Sequence, residues 1–142
     1  MELIQEFIRV INETNRIALA TSVDNIPNVR IVNFCNNPQN KGVVYFSSFR
    51  SHPKTLELSQ NNIVTFTTIP LSLESSEHIR VKNATVKKSN LTIYELKDEF
   101  TKKLPGYDDI IEKFGEMLDV YEISFNEATV VLDLGKGGKI TL

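Results

Sequence analysis

Residues 43–58 read Val-Val-Tyr-Phe-Ser-Ser-Phe-Arg-Ser-His-Pro-Lys-Thr-Leu-Glu-Leu: an alternating apolar strand, a hydroxyl-rich turn, then a helix opening with Ser51, His52, Pro53 and Lys54. Ser51 or His52 can cap that helix, and Pro53 suits its first turn. Lys54 stands within a turn of the helix start, where the dipole disfavours a cation. A bound dianion reverses that sign. Together with Ser47 and Ser48 at the strand end, the segment aims hydroxyls, unbonded backbone N–H groups and an ammonium at one point, and a phosphate is the natural occupant. The plain alternative is a capped helix with a solvated lysine, and the two strand-end hydroxyls favour the anion.

Outward from this segment, the N-terminal side predicts an amphipathic helix over 2–13, with Leu3, Ile4, Phe7, Ile8 and Ile11 on one face. Short β segments follow at 17–23, 29–35 and 43–48, separated by a turn at 24–27 and a polar loop at 36–42. Asp24-Asn25 and Asn36-Asn37-Pro38 favour hairpins over crossovers. A fourth strand spans 63–69 and a fifth 77–88. In the fifth, Ile79 and Val81 are apolar at odd positions, whereas Ala84 and Val86 are apolar at even ones. One face stays buried only if a residue is inserted near Asn83, so the pattern predicts a β-bulge there. Thr92 to Glu95 form a capping box that opens a helix to about Lys103, which Pro105-Gly106 ends. A further helical turn places Ile110, Ile111, Phe114 and Met117 on one side. A last strand pair, 120–125 with 128–134, precedes a glycine-rich tail. These elements predict a small closed or nearly closed antiparallel β-barrel with a leading helix and peripheral helices, an eight-strand sandwich being the alternative.

The 142 residues suit a single domain, 1–142, with a sizeable core. A formal charge of −2 and only two short lysine pairs, 87–88 and 102–103, give no basic stripe, which argues against nucleic acid as partner. No apolar run approaches the ~20 residues of a membrane span. The opening residues lack a secretory signal, and one cysteine, Cys35, builds neither a disulfide framework nor a thiolate metal site. A cytoplasmic protein is the expectation.

Catalytic side chains are scarce. His52 and His78 are too few and too far apart in sequence for a metal centre, and there is no Gly-x-Ser-x-Gly elbow. No Gly-rich phosphate loop joins a strand to a helix, so a Rossmann or P-loop reading fails. Cys35 on a strand is a small buried hydrophobe rather than a nucleophile. Arg30 lies inside the apolar strand Val29-Arg30-Ile31-Val32-Asn33-Phe34, where an unpaired guanidinium is costly. It either faces solvent or meets an anion or a carbonyl.

Taken in order, Ala18-Leu19-Ala20-Thr21-Ser22, Pro27-x-Val29-Arg30-x-Val32, Tyr45-Phe46-Ser47-Ser48 and Ser51-His52-Pro53-Lys54 resemble the pyridoxamine 5′-phosphate oxidase-like family of flavin-binding split barrels over nearly the whole chain. The resemblance implies a six-stranded antiparallel Greek-key split barrel, mainly β, that forms a homodimer with FMN at the subunit interface. By position, Arg30, Ile31, Val32 and Asn33 would lie along the flavin. Ser47 and Ser48 would approach its ring or phosphate. Ser51, His52 and Lys54 would hold the phosphate, and His78 falls near a further FMN contact. The biosynthetic members resemble one another in a lysine where Cys35 stands here, and in a C-terminal segment bearing Trp and Arg. This chain has no Trp and ends in glycines and lysines, so the resemblance points to the shorter nitroimidazole-reductase-like and general-stress-type relatives rather than to vitamin B6 synthesis. It implies an FMN-dependent oxidoreductase acting on a small molecule or electron donor. A non-enzymatic flavin or haem carrier or sensor, with His52 or His78 on the iron, is the second expectation. Deazaflavin F420 in place of FMN is a further alternative within the family.

Overall fold

Two residues with left-handed backbone, Asp24 (φ 53°) and Asn25 (φ 64°), set the first hairpin, joining β1 (Arg16–Val23) to β2 (Ile26–Asn33) in full antiparallel register. Such a pair suits the twist of a two-residue turn. The structure is a computed structural model describing residues 2–50 and 52–142; of Pro53 and Lys54 it describes the backbone only. Ahead of β1 lies α1 (Leu3–Glu13), with Phe7, Val10 and Ile11 buried and Leu3, Ile4 and Ile8 half-buried, as the apolar periodicity requires. After β2 come β3 (Cys35–Asn37), β4 (Asn40–Phe49), α2 (Pro53–Gln60), β5 (Ile63–Thr68) and β6 (His78–Lys88). Helices α3 (Lys97–Lys103) and α4 (Tyr107–Phe114) precede β7 (Leu118–Ser124), β8 (Glu127–Val131) and β9 (Gly137–Thr141).

The nine strands form one antiparallel sheet in the order β2-β1-β5-β6-β7-β4-β3, with β8 on β6 and β9 on β8. The chain changes partner at Phe34: β2 pairs with β1, and β3, just beyond, pairs with β4. Counting β2–β3 as one bent strand, six strands surround the core, left open where β2 parts from β4. This is the expected split barrel. Phe7, Phe34, Phe46, Phe66, Ile17, Leu19, Ile79 and Ile123 fill it, each essentially inaccessible, and burying a side chain of this size contributes about 1.5–3 kcal/mol.

The predicted bulge is present. Val64 pairs with Ala84 and Phe66 with Val81, so Thr65 alone opposes Lys82 and Asn83, and Asn83 takes φ 55°. The two halves of β6 then serve different neighbours: Thr85 to Lys88 pair with β7, and His78 to Arg80 with β8. Two expectations are corrected here. The last strands do not pair with each other; β7 bonds to β4 and β6, and β8 to β6 and β9. The glycine-rich tail is a strand, β9. Gly137 (φ 130°) allows it to lie against β8: a Cβ there would sit 2.0 Å from the Val130 carbonyl oxygen.

The predicted capping box forms, with Glu95 N–H bonded to Thr92 Oγ1 and Thr92 N–H to Glu95 Oε1, but it closes a turn and the α-helix begins at Lys97. Of the residues expected on one apolar side, only Ile111 is buried; Ile110, Phe114 and Met117 are exposed. Together α3 and α4 cover the outer face of β4 and β7, enclosing a second cluster of Cys35, Tyr45, Ile93, Phe100, Tyr107 and Val120. Strand β4 is therefore covered on both faces, Val44 and Phe46 lying inward and Tyr45 under the helices.

Candidate functional site

Helix α2 follows β4 and is bonded to the β1–β2 hairpin, so it bridges the split between β2 and β4. This helix is short, carries no acid in its first turn and no base in its last, and would be marginal alone. Tertiary contacts hold it. Leu58 enters the barrel core at 6% exposure. Asn61 Nδ2 donates to the Ser22 carbonyl at 2.9 Å. Glu57 accepts bonds from Thr21 Oγ1 (2.8 Å), Asn28 Nδ2 (3.3 Å) and Arg30 Nη2, which reaches both carboxylate oxygens at 2.8 and 2.7 Å. The Arg30 bond, then that of Thr21, holds the Glu57 carboxyl below its ordinary value, burial acting in the opposite sense. Thr21 pairs with Asn28, and Leu19 with Arg30, across the hairpin, so these donors share the inner face of the two strands.

The outer face of the same hairpin is apolar and open. Ala18 pairs with Ile31 and Ala20 with Val29, and Val29 and Ile31 are 63% and 60% exposed. The far edge of β2 has no strand partner among the described residues, so alternate backbone groups along it face outward, the Val29 N–H being taken by Asn28 Oδ1 at 2.9 Å.

The predicted residues fall into this frame unevenly. Ile31 and Asn33 are exposed on β2, Val32 is buried in the core, and Arg30 is engaged by Glu57. Ser47 and Ser48 do not converge on one loop, because adjacent strand residues face opposite ways. Ser47 shares a 2.5 Å hydrogen bond with the Tyr107 hydroxyl beneath α4. Ser48 is buried at 4% exposure, its Oγ lying 3.4 Å from the Phe49 carbonyl. His52 is exposed; its N–H donates to the Phe49 carbonyl, and its own carbonyl accepts from Thr55 N–H and Oγ1. Ser51 and the Lys54 side chain lie outside the described residues. His78 opens β6, and its Nδ1 meets the Ser76 carbonyl at 2.7 Å.

Three residues that bear on the site were not singled out. Glu57 gave no sequence signal, since its partners lie 27 to 36 residues away. Tyr107 holds Ser47 and stacks on Phe100 at 5.0 Å, and burial raises its hydroxyl pKa. Lys103 donates to the carbonyls of Ile11, Asn12 and Thr14 at the end of α1 and lies 4.5 Å over the Phe34 ring. Burial pulls its ammonium down to about 8, while Cys35 and Glu99 pull it up. Cys35 is fully buried, and burial, with Glu99, pushes its thiol up to about 12. It is the inert hydrophobe expected. No set of three or more metal-ligating side chains occurs among the described residues, and no described helix is long and apolar enough to cross a membrane.

A flavin nucleotide needs an edge of hydrogen-bonding partners, a flat apolar surface and an anion anchor. The free β2 edge and the Val29–Ile31 strip fit the first two. A groove of about 670 Å³ lies elsewhere, between Gln39–Val43, Ser124–Asn126 and Thr141 and Leu142.

Comparison with solved structures identifies the same fold in proteins of low sequence identity. Campylobacter jejuni ChuZ superposes with a TM-score of 0.76 at 16% identity, over 96% of this chain and 58% of its own. A heme binding protein from Mycobacterium smegmatis gives 0.78 at 11% identity, over 99% and 58%. This chain thus spans a little over half the length of those two proteins. An FAD-binding protein from Mesorhizobium loti gives 0.67 at 14% identity, over 95% and 92%. No curated protein sequence matches. The sequence profile of the pyridoxamine 5′-phosphate oxidase-like family matches residues 10–137, nearly the whole chain. The chain belongs to the pyridoxamine 5′-phosphate oxidase-like family.

Proposed function

We propose that this protein binds FMN at the open side of β2 and works as an FMN-dependent oxidoreductase distinct from the vitamin B6 biosynthetic enzyme. One observation carries the reading: an edge strand with outward-facing backbone groups and an exposed apolar strip is tied, through Arg30 and Glu57, to the helix that follows β4. The bound flavin supplies the chemistry, accepting and passing on electrons. The protein's part is placement. The β2 backbone orients the ring edge, Val29 and Ile31 exclude water from one ring face, and Ser51, His52 and Lys54 anchor the phosphate. No described side chain is needed as general acid or base. Exposed Ile26, Val29 and Ile31 also favour a second copy of the chain as the cover for this face, giving a homodimer with the cofactor between subunits. A lone buried thiol accords with a cytoplasmic protein.

Titration of the purified protein with FMN, followed by quenching of flavin fluorescence, tests the proposal. A Kd below about 10 µM, equivalent to about −7 kcal/mol, is expected. Binding no tighter than tens of micromolar rejects it. Anaerobic reduction of the bound flavin by NADH or NADPH, then a panel of acceptors, separates reductase from carrier.

A second reading, haem binding, is favoured by His78. Its Nδ1 donates to the Ser76 carbonyl, which fixes the tautomer leaving Nε2 as the lone-pair nitrogen, a common arrangement of metal-bound imidazole. Arg80 Nη2 stands 3.5 Å from that nitrogen and competes for it. A Soret band that disappears in His78→Ala is the sign of this alternative.

A further inference from the structure

The geometry points to Glu57 as the positioning residue of the site: one carboxylate that holds the start of α2 and the β2 rail in fixed relation across the barrel split. The inference rests on the FMN reading for its ligand but not for its geometry.

Two halves of the candidate site lie on separate, weakly held elements. The phosphate-binding half leads into α2, and the ring-binding half lies on β2, which among the described residues has a strand neighbour on one side only. Among the described residues, α2 is tied down by Leu58, Asn61 and Glu57, while Leu56, Ser59 and Gln60 are exposed. Among the described residues, Glu57 is the side chain of α2 that hydrogen-bonds to β2. It does so with the strongest type of link available, since three of its four hydrogen bonds come from Arg30 and Asn28 of β2 and two of these carry a full charge. The fourth, from Thr21, ties the same carboxylate to β1.

The pair is partly withdrawn from water, with side-chain exposures of 17% for Arg30 and 26% for Glu57. Removing one member of such a pair leaves the other charge poorly solvated and free to seek another partner. Arg30 spends only Nη2 on Glu57; its Nε and Nη1 make no hydrogen bond among the described residues. Glu57 therefore fixes where those two remaining donors point, as well as how far α2 stands from β2. A displacement of about 1 Å in such an arrangement is enough to degrade binding and reactivity.

The test uses the full chain with Glu57→Gln and Glu57→Asp. FMN affinity is read by fluorescence quenching, and backbone amide exchange over residues 55–60 is read without FMN. Glu57→Gln, isosteric and uncharged, is expected to weaken FMN binding by about tenfold or more and to speed exchange in α2, with the melting transition still cooperative. Glu57→Asp keeps the charge but is one methylene shorter, and is expected to lie between wild type and Glu57→Gln. FMN affinity of Glu57→Gln within about twofold of wild type overturns the inference, as does Glu57→Asp binding no better than Glu57→Gln. Unchanged exchange over 55–60 overturns it whatever the ligand is. Faster exchange in a protein whose wild type fails to bind FMN rejects the proposed function and leaves the latch standing. If Glu57→Gln does not fold, Thr21→Val removes one of the four bonds and is read by the same two measurements.

Discussion

Replacing Lys103 by Met keeps the aliphatic stem and removes an ammonium that closes the end of α1. Its Nζ donates to the carbonyls of Ile11 at 2.5 Å, Thr14 at 2.6 Å and Asn12 at 3.3 Å. The Asn12 contact is exposed, so water replaces it at little cost. The other two acceptors are part-buried, and losing a hydrogen bond to a charged group there costs about 1.5–3 kcal/mol each. Relief of the buried charge works the other way. The fall from 10.5 to about 8 corresponds to about 3 kcal/mol in favour of the uncharged form. The balance at pH 7 is a loss of about 0–3 kcal/mol, read by urea denaturation of both proteins. The sign with pH is sharper. Because the folded pKa lies below the unfolded one, the penalty on the ammonium is fully present below pH 8 and is relieved as pH rises from about 8 to 10.5. Wild type gains stability over that window and Lys103→Met does not, so the gap should widen by up to about 3 kcal/mol. A gap that narrows above pH 8 would refute this: the three carbonyls would then outweigh desolvation and hold the proton in place.

Other outcomes follow from single positions. Lys54→Ala should weaken FMN binding by about 1–3 kcal/mol, the scale of a charge-assisted bond, and leave the melting temperature nearly unchanged; equal affinity removes Lys54 from the site. Asn83→Val should cost about 1–3 kcal/mol of stability because a β-branched residue resists the positive φ of the bulge, whereas Asn83→Gly should be nearly neutral in the same urea titration. Cys35, with its thiol pushed up to about 12, should resist a thiol reagent at pH 8 and react fully once denaturant is added; rapid labelling of the native protein would show that the α3–α4 cover opens readily.

What the sequence disclosed and what it hid separate along physical lines. The bulge was legible because Ile79, Val81, Ala84 and Val86 break the two-residue period within one strand, and a buried face cannot change sides without an inserted residue. The first hairpin was legible from Asp24-Asn25, the residue types that accept positive φ. The tail strand β9 was hidden because Gly137, Gly138 and Lys139 carry no apolar alternation; its register comes from a backbone approach that only glycine permits. The divergence of Ser47 and Ser48 follows from strand alternation, and weighing their hydroxyl chemistry ahead of that alternation placed them on one loop. Glu57 could not have been found this way. It is an ordinary exposed-looking acid on a weak helix, and only the closing of the barrel brings Thr21, Asn28 and Arg30 around it.

Phosphorus position is the decisive observable for the whole account. A crystal structure of the protein with FMN is predicted to show the phosphate at the turn between β4 and α2, the ring along the free side of β2, and a second protomer closing over it. An FMN phosphate bound in the groove beside Thr141 and Leu142, or anywhere away from that turn, would contradict it.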